Sequence, residues 1–491
     1  MSLGLSLTFG LYVVALLGIG VYFFVQTETT RLADYMLAGR DVGTWPIAIS
    51  EVASVASGWT FFAWVGVGYT TGLNGLWFSV SMLVVVLFLY RFVAPTFRRQ
   101  SEAIDSQTIV DHLALVFRES RFGPWIRWVA TLAIVVFLGS YVGAQIIAVG
   151  EALDTGLGID YAVSVGVGGL AVAVYTTLGG FNASVWTDFV QGLLVILAAI
   201  ALPVAALAEI GGWGAFVAEV QAADPSLLGM TAGQHGTALV LSIGSWLAFA
   251  LGALGQPHGL MRFQAIRSER ILSKASVIAM SFQALRLTVP LFIGIAGRVL
   301  YASAGDPESV AMTMMVELFP SWLAGLLLAG ITGAILSTSD SMMIVTSADL
   351  TQLYRTQLAP DADEQTIVVL GRVIVAIMAA FGIGLAYWRP GTIFEIIEFA
   401  FVGLGATLGL PLAFLVLWDR TTGAGVFAAV LVGLASAVGN LYLWPSTFPS
   451  LVWPITLGAF LLTCYATSAP VPARSGTTRG HGAPREGASP R

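Results

Sequence analysis

The fold turns on AISEVASVASGWTFF, residues 48–62. This stretch sits in an apolar segment long enough to cross a bilayer, yet it is crowded with small residues and carries a carboxylate, Glu51. A second segment, FALGALGQPHG (249–259), is interrupted by Gly252, Gly255 and Pro257. Breaks inside a membrane helix free backbone groups that only protein, a cavity or an ion can satisfy. Taken singly, either stretch fits close packing between helices, where small residues are common. Their relation to each other says more. With the first span set aside as peripheral, they become helices one and six of a ten-helix core, at equivalent places in two five-helix halves. Paired interruptions of this kind point to an inverted-repeat transporter whose discontinuous helices meet at the membrane midplane.

Working outward, the 491 residues are 57% hydrophobic and 10% charged. A soluble domain carries about a quarter charged residues, so an integral membrane protein is expected. Thirteen spans are expected, near 3–25, 46–70, 73–95, 124–150, 158–178, 183–208, 236–258, 272–302, 321–346, 367–388, 393–417, 423–443 and 449–467. They group as a peripheral helix and first loop (1–43), a first repeat (44–208), an external loop (209–235), a second repeat (236–417), two further helices (418–467) and a disordered cytoplasmic tail (468–491). The first span has no basic n-region or small-residue cleavage site and is expected to be retained. The lone Cys464 excludes a disulfide within the chain. The net charge of −6 is small and calls for no nucleic-acid partner.

Arginines set the orientation. Arg31, Arg40, Arg91, Arg98, Arg99, Arg118, Arg121, Arg262, Arg267, Arg270, Lys274, Arg355 and Arg420 gather on one side, while the loop 209–235 holds acids and no Lys or Arg. The positive-inside rule then puts the N-terminus outside and the C-terminus in the cytoplasm of a plasma-membrane protein.

The stretches YMLAGRDVGTWPIAIS (35–50), SGW (57–59), LGGFNASVWTDFVQG (178–192), GQPHGLMRF (255–263), AILSTSDSMM (334–343), VVLGRVIVAIMAAFGIGLA (368–386) and FVGLGATLGLPLAFLVLW (401–418) run in one order. Together they resemble the sodium:solute symporter family over about residues 30–420, and its proline-transporting branch most of all. The resemblance implies an all-α LeuT-type fold with about 13 helices and an extra N-terminal helix, and secondary active transport driven by sodium.

It also implies a site. The shared sodium position maps onto the backbone of Ala53, Ala56 and Ala334 and the hydroxyls of Ser337 and Thr338. Residues 334, 337 and 338 share one helical face. The alternative for such hydroxyls is a bond to their own i−4 carbonyl. Asp340 and Ser341 continue along the helix, and with Asp188 they match a second ion site, for sodium or for a proton held between two acids. Alternatively, Asp340 is solvated at the cytoplasmic mouth or paired with an arginine. Val55 replaces an aspartate of the proline branch, and Glu51 lies one turn earlier.

For the solute, the resemblance implies Ser54, Val55, Ser57, Gly58, Tyr141, Trp246, Phe249 and Ala253. Phe249 and Ala253 stand where that branch has tryptophan and tyrosine, which predicts a roomier and less polar pocket. Ordinary packing is the alternative for the aromatic residues. Arg286 falls mid-span, where a charge needs a partner. Asp340, Asp188, Glu395, Glu398 or a solute carboxylate are the candidates. Gln256 and His258 are read as structural.

The expected function is sodium-coupled symport of a small solute, proline or a related amino acid first, by alternating access in the bilayer. The alternative is a sodium- or proton-coupled pantothenate or monocarboxylate transporter, since GGFNASV resembles that branch too. A solute sensor is the remote reading, disfavoured by the short tail. No nucleotide-binding loop or metal cluster is present and the four histidines are scattered, so no enzyme activity and no cofactor beyond the sodium ion are expected.

Overall fold

The computed structural model describes residues 3–26, 57–265, 269–443 and 451–468; within them some side chains, including those of 178–190 and 269–275, are not described. Among the described residues, nine helices are long and apolar enough to cross a membrane, accompanied by the shorter apolar helices Leu3–Ala15, Tyr161–Val174 and Val452–Thr467. No strand occurs among the described residues.

Helix α1 (Leu3–Gln26) precedes the core. A π turn, Trp59–Ala63, leads into α2 (Trp64–Thr71). The chain turns at Gly72, whose φ of +59° and contact with the Leu227 backbone leave no room for a side chain. Then α3 (Leu76–Phe88) continues through a π turn into α4 (Ala94–Ala103). Next come α5 (Ile109–Val116), α6 (Gly123–Leu157), α7 (Tyr161–Ile210) and α8 (Trp213–Ala223).

The second half is broken where glycine and proline forecast it. Helix α9 (Gly236–Leu251) tightens into a 3-10 turn, Gly252–Gly255, becomes extended at Gln256, and resumes as α10 (Pro257–Ala265). After it come α11 (Glu269–Leu300), α12 (Val310–Leu318), α13 (Ser321–Leu353), α14 (Glu364–Trp388) and α15 (Ile393–Leu404). A π turn, Gly405–Gly409, joins α15 to α16 (Leu410–Leu417), and α17 (Gly423–Leu443) and α18 (Val452–Thr467) follow. The 3-10 turn crosses the π turn backbone to backbone. A Cβ on Gly405 would lie 2.5 Å from the Gly252 Cα, and one on Gly409 would lie 2.5 Å from the Gly255 nitrogen.

Helix α7 is helical throughout Tyr161–Ile210, where two spans were expected. Contacts give its two arms opposite directions. Gly168 meets Val149 and Gly169 meets Ile146, so the first arm is antiparallel to α6. Gly333 meets Gln191 and Gly330 meets Leu194, so the second arm is antiparallel to α13. Since α6 and α13 are themselves antiparallel, with Gly156 against Leu328 and Gly58 touching both Ala148 and Ile335, the arms run down and back.

On the arginine-rich side, α5 is clasped by its neighbours. Thr108 caps α5 by accepting the Asp111 N–H at 3.0 Å, and its hydroxyl donates to Asp349 of α13. Arg127 of α6 pairs with Asp111 at 2.6 Å, both buried. His112, also buried, has Nδ1 3.1 Å from the Ser106 hydroxyl and 3.3 Å from that of Ser101, and Gln264 of α10 donates to Ser101 at 3.1 Å. At the opposite end, Glu308 precedes α12 and caps α15, accepting the N–H groups of Ile393 and Phe394, each at 2.9 Å.

Candidate ion and solute site

The described part of the first core helix begins at Ser57. Its carbonyl accepts the Thr60 N–H at 2.8 Å and its hydroxyl accepts the Trp59 N–H at 3.2 Å, while Thr60 Oγ1 accepts the Ser57 N–H at 3.4 Å. These bonds satisfy amides that a helix start leaves without partners. Gly58 then presses on α6: a Cβ there would sit 2.5 Å from the Ala148 Cβ. Its N–H donates to Gln145 Oε1 at 3.0 Å, and the Tyr141 side chain lies beside that of Ser57. Thus the structure brings Ser57, Gly58 and Tyr141 together. Glu51, Ala53, Ser54, Val55 and Ala56 lie outside the described residues.

Across from this start runs α13, with Ile335 beside Gly58. Ala334, Ser337 and Thr338 are buried, and the Thr338 hydroxyl donates to the Ala334 carbonyl at 3.0 Å. Asp340 is 1% exposed, which rules out a solvated aspartate, and it accepts the Ser341 hydroxyl at 3.2 Å. Asp188 lies on α7, one turn before the Gln191 that meets Gly333; its side chain lies outside what is described. The backbone therefore runs Asp188 alongside α13, but the pairing of Asp188 with Asp340 is not described.

Phe249 is the centre of an aromatic cluster. Its ring lies 4.6 Å from Phe78, 5.5 Å from Phe401, 5.6 Å from Phe394 and 6.3 Å from Trp59, centroid to centroid. Trp246 joins through Trp64 and Phe394, and its indole N–H donates to Asn74 Oδ1 at 2.8 Å. Asn74 in turn donates to the Met230 carbonyl at 2.9 Å, so Trp246 is tied to the external loop. Ala253 is buried in the 3-10 turn, and the neighbouring Gly252 lies under the Phe401 ring.

Sequence reasoning did not single out Phe78, Phe394, Phe401 or Gln145. Phe78 comes from α3 and the other two phenylalanines from α15. Their signal is the spacing of seven residues, two turns, from Phe394 to Phe401. Gln145 follows Tyr141 by one turn, and that i, i+4 relation was the available clue.

Arg286 is buried in α11, donating to Gln283 at 3.2 Å and to Thr60 at 3.4 Å, with its guanidinium 5.3 Å from the Trp59 ring centre. Pro290, one turn on, cannot bond back to it, and next to that gap the Leu287 carbonyl accepts both Trp64 Nε1 at 2.8 Å and Ser79 at 3.1 Å. Glu395, one of the expected partners of Arg286, is exposed and closes a capping box with Thr392. Gln256 straps the break, donating to the Gly252 carbonyl at 2.9 Å.

The break at Gly252–Pro257 and the buried hydroxyls of α13 beside Gly58 fit an ion-coupled transporter of the LeuT-type fold. The substrate-bound outward-open structure of a Na+-coupled sialic acid symporter superposes with a TM-score of 0.79 at 18% identity, covering 95% of this chain and 98% of that one. MhsT in complex with L-phenylalanine does so at 0.55 and 12%, covering 85% and 98%. Residues 35–433 match the sodium:solute symporter family, and the protein belongs to it. Relatives include the high-affinity proline transporter PutP of Bacillus subtilis, 32% identical over 85% of this chain and 88% of its own. The osmoregulated proline transporter OpuE of the same organism is 32% identical over 89% of each. The sodium/proline symporter of Haemophilus influenzae is 30% identical over 90% and 88%.

Proposed function

We propose that the protein couples inward sodium flow to uptake of proline or a closely related amino acid. The observation that carries this is the buried stripe Ala334–Ser337–Thr338 on α13, opposite the first core helix at Ser57. Sodium takes oxygen ligands, and two hydroxyls with a carbonyl supply them without placing a lone charge in the membrane. The Thr338 hydroxyl donates its proton to the Ala334 carbonyl, and a hydroxyl oxygen that donates can also accept.

In this reading the N-terminus is outside and the C-terminus cytoplasmic. Sodium enters first, bridging α13 to the unwound helix at Ala53 and Ala56. That contact favours the outward-open state, a shift driven by sodium's higher affinity for it. Solute then binds near Ser57, Gly58, Tyr141 and Phe249, with Ser54, Val55, Trp246 and Ala253 in the surrounding wall. Inward opening follows and sodium leaves past Ser337. Asp188, Asp340 and Ser341 form a second ion site, and Arg286 balances buried charge. Relatives that transport proline support the substrate.

The test is radiolabelled proline uptake into proteoliposomes under an inward sodium gradient, for wild type and Ser337→Ala/Thr338→Ala. Sodium-driven uptake in the wild type that disappears in the double variant is expected. Uptake driven by a proton gradient and indifferent to sodium would overturn the sodium assignment and move coupling to Asp188 and Asp340.

A further inference from the structure

Gln145 is fully buried on α6, one turn beyond Tyr141. Its amide orientation is fixed by its partner: the Gly58 N–H can only donate, so the atom 3.0 Å away must be the carbonyl oxygen. The amide nitrogen Nε2 therefore points the other way, and it has no hydrogen-bond partner among the described residues. Buried side-chain donors are rarely left so. At Gly58, which the Oε1 end of the side chain touches, the Ala148 and Ile335 side chains also converge. These are the elements between which solute binds in the proposed function, and the inference rests on that reading.

The chemistry of Nε2 narrows what it meets. An amide NH2 has two protons and no lone pair to offer a metal ion, so it is not a sodium ligand. It fits an acceptor, and the acceptor an amino acid or monocarboxylate brings is its carboxylate. We infer that Gln145 is a solute-binding residue that donates from Nε2 to the solute carboxylate while its Oε1 holds the Gly58 N–H. One amide plane then reads two things at once. Solute anchored on Nε2 fixes the plane, and the fixed plane holds the first core helix at its break, linking recognition to the geometry of the ion site beside it.

Two variants separate the roles. Gln145→Glu keeps an oxygen for the Gly58 N–H but replaces the donor with a repelling carboxylate. Gln145→Met keeps the shape and loses both bonds. Uptake of L-proline at saturating sodium is measured with competition by L-proline and L-prolinamide. In the wild type, proline should compete at least about tenfold better than its amide. Both variants should raise KM for proline more than they lower kcat, and the proline-to-prolinamide preference should collapse, most in Gln145→Glu. A purely structural role moves folding and kcat but leaves that preference intact, and an intact preference in either folded variant overturns the inference. If the wild type does not take up proline, the substrate reading fails. The inference is then decided by sodium-dependent tryptophan quenching with a panel of amino acids and monocarboxylates against their amides. No wild-type preference for carboxylates, or one that survives Gln145→Met, overturns it.

Discussion

The Ala334 carbonyl accepts the Thr338 hydroxyl at 3.0 Å, within the buried stripe that also holds Ser337. Thr338 thus bonds its own backbone one turn earlier in a wholly buried setting. Thr338→Ser should keep sodium dependence near wild type. Thr338→Val keeps the shape and removes the oxygen. The half-saturating sodium concentration for uptake should then rise about tenfold, equivalent to roughly 1.4 kcal/mol. Sodium titrations of uptake for the two variants check this, and equal curves would refute it.

Gly58 has no space for a methyl group, with the Ala148 Cβ 2.5 Å from where its own would be. Gly58→Ala must separate the broken helix from α6, an overpacking cost of about 1–3 kcal/mol. The melting temperature in detergent should fall and proline uptake with it. Ala148→Gly in the same chain should restore part of both, because it empties the clashing site.

Arg127 and Asp111 are both buried, so neither can lose the other cheaply. Arg127→Met leaves a buried carboxylate without its cation and should cost about 3–5 kcal/mol. Arg127→Met/Asp111→Leu removes both charges and should recover most of that loss. Thermal melts of the single and double variants measure the difference.

Two groups outside the membrane spans give opposite pH slopes. Burial pushes the His112 imidazole down to about 4, so the unfolded chain takes up a proton first. Its contribution to stability is intact above pH 6.5 and is lost as pH falls through 6.5 toward 4. Burial pushes Glu308 up to about 7, partly offset by the N–H groups of Phe394 and Ile393 and reinforced by Asp306 and Glu395. There the folded state holds the proton longer, so its contribution is present at acid pH and lost as pH rises from 4.5 through 7. Relative to wild type, His112→Gln should gain stability as pH drops through its window. Glu308→Gln should gain as pH rises through the other. Melting temperature measured between pH 4 and 8 for the three proteins tests both signs.

What could be read in advance followed from local chemistry. The break at Gly252–Pro257 was legible because proline lacks an N–H and glycine lacks a Cβ, whatever surrounds them. The polar stripe of Ser337 and Thr338 was legible because hydroxyls at helical spacing stand out in an apolar window. The burial of Asp340 was not, since a hydropathy window averages over all faces of a helix. Thr108 and Asp349 are 241 residues apart, and nothing local to either marks the other as a partner. The covering of Gly252 by Phe401 depends on how α15 lies across the 3-10 turn, which is set by packing between helices. Helix α7 covers what was expected as two spans, near 158–178 and 183–208, and its helicity between them was not anticipated.

The stack of Trp59 on Trp64, with centroids 4.9 Å apart and planes inclined by 16°, has an optical consequence. Two indoles this close share their excited states, and their coupled transitions give a circular-dichroism band whose sign reports the handedness of the pair. Trp59 sits two residues beyond Ser57, where the described helix begins, and Trp64 is anchored on the Leu287 carbonyl. Any rotation of the helix start relative to that anchor changes the band. The protein therefore carries its own spectroscopic gauge of the break, readable in the near ultraviolet as sodium and solute are added.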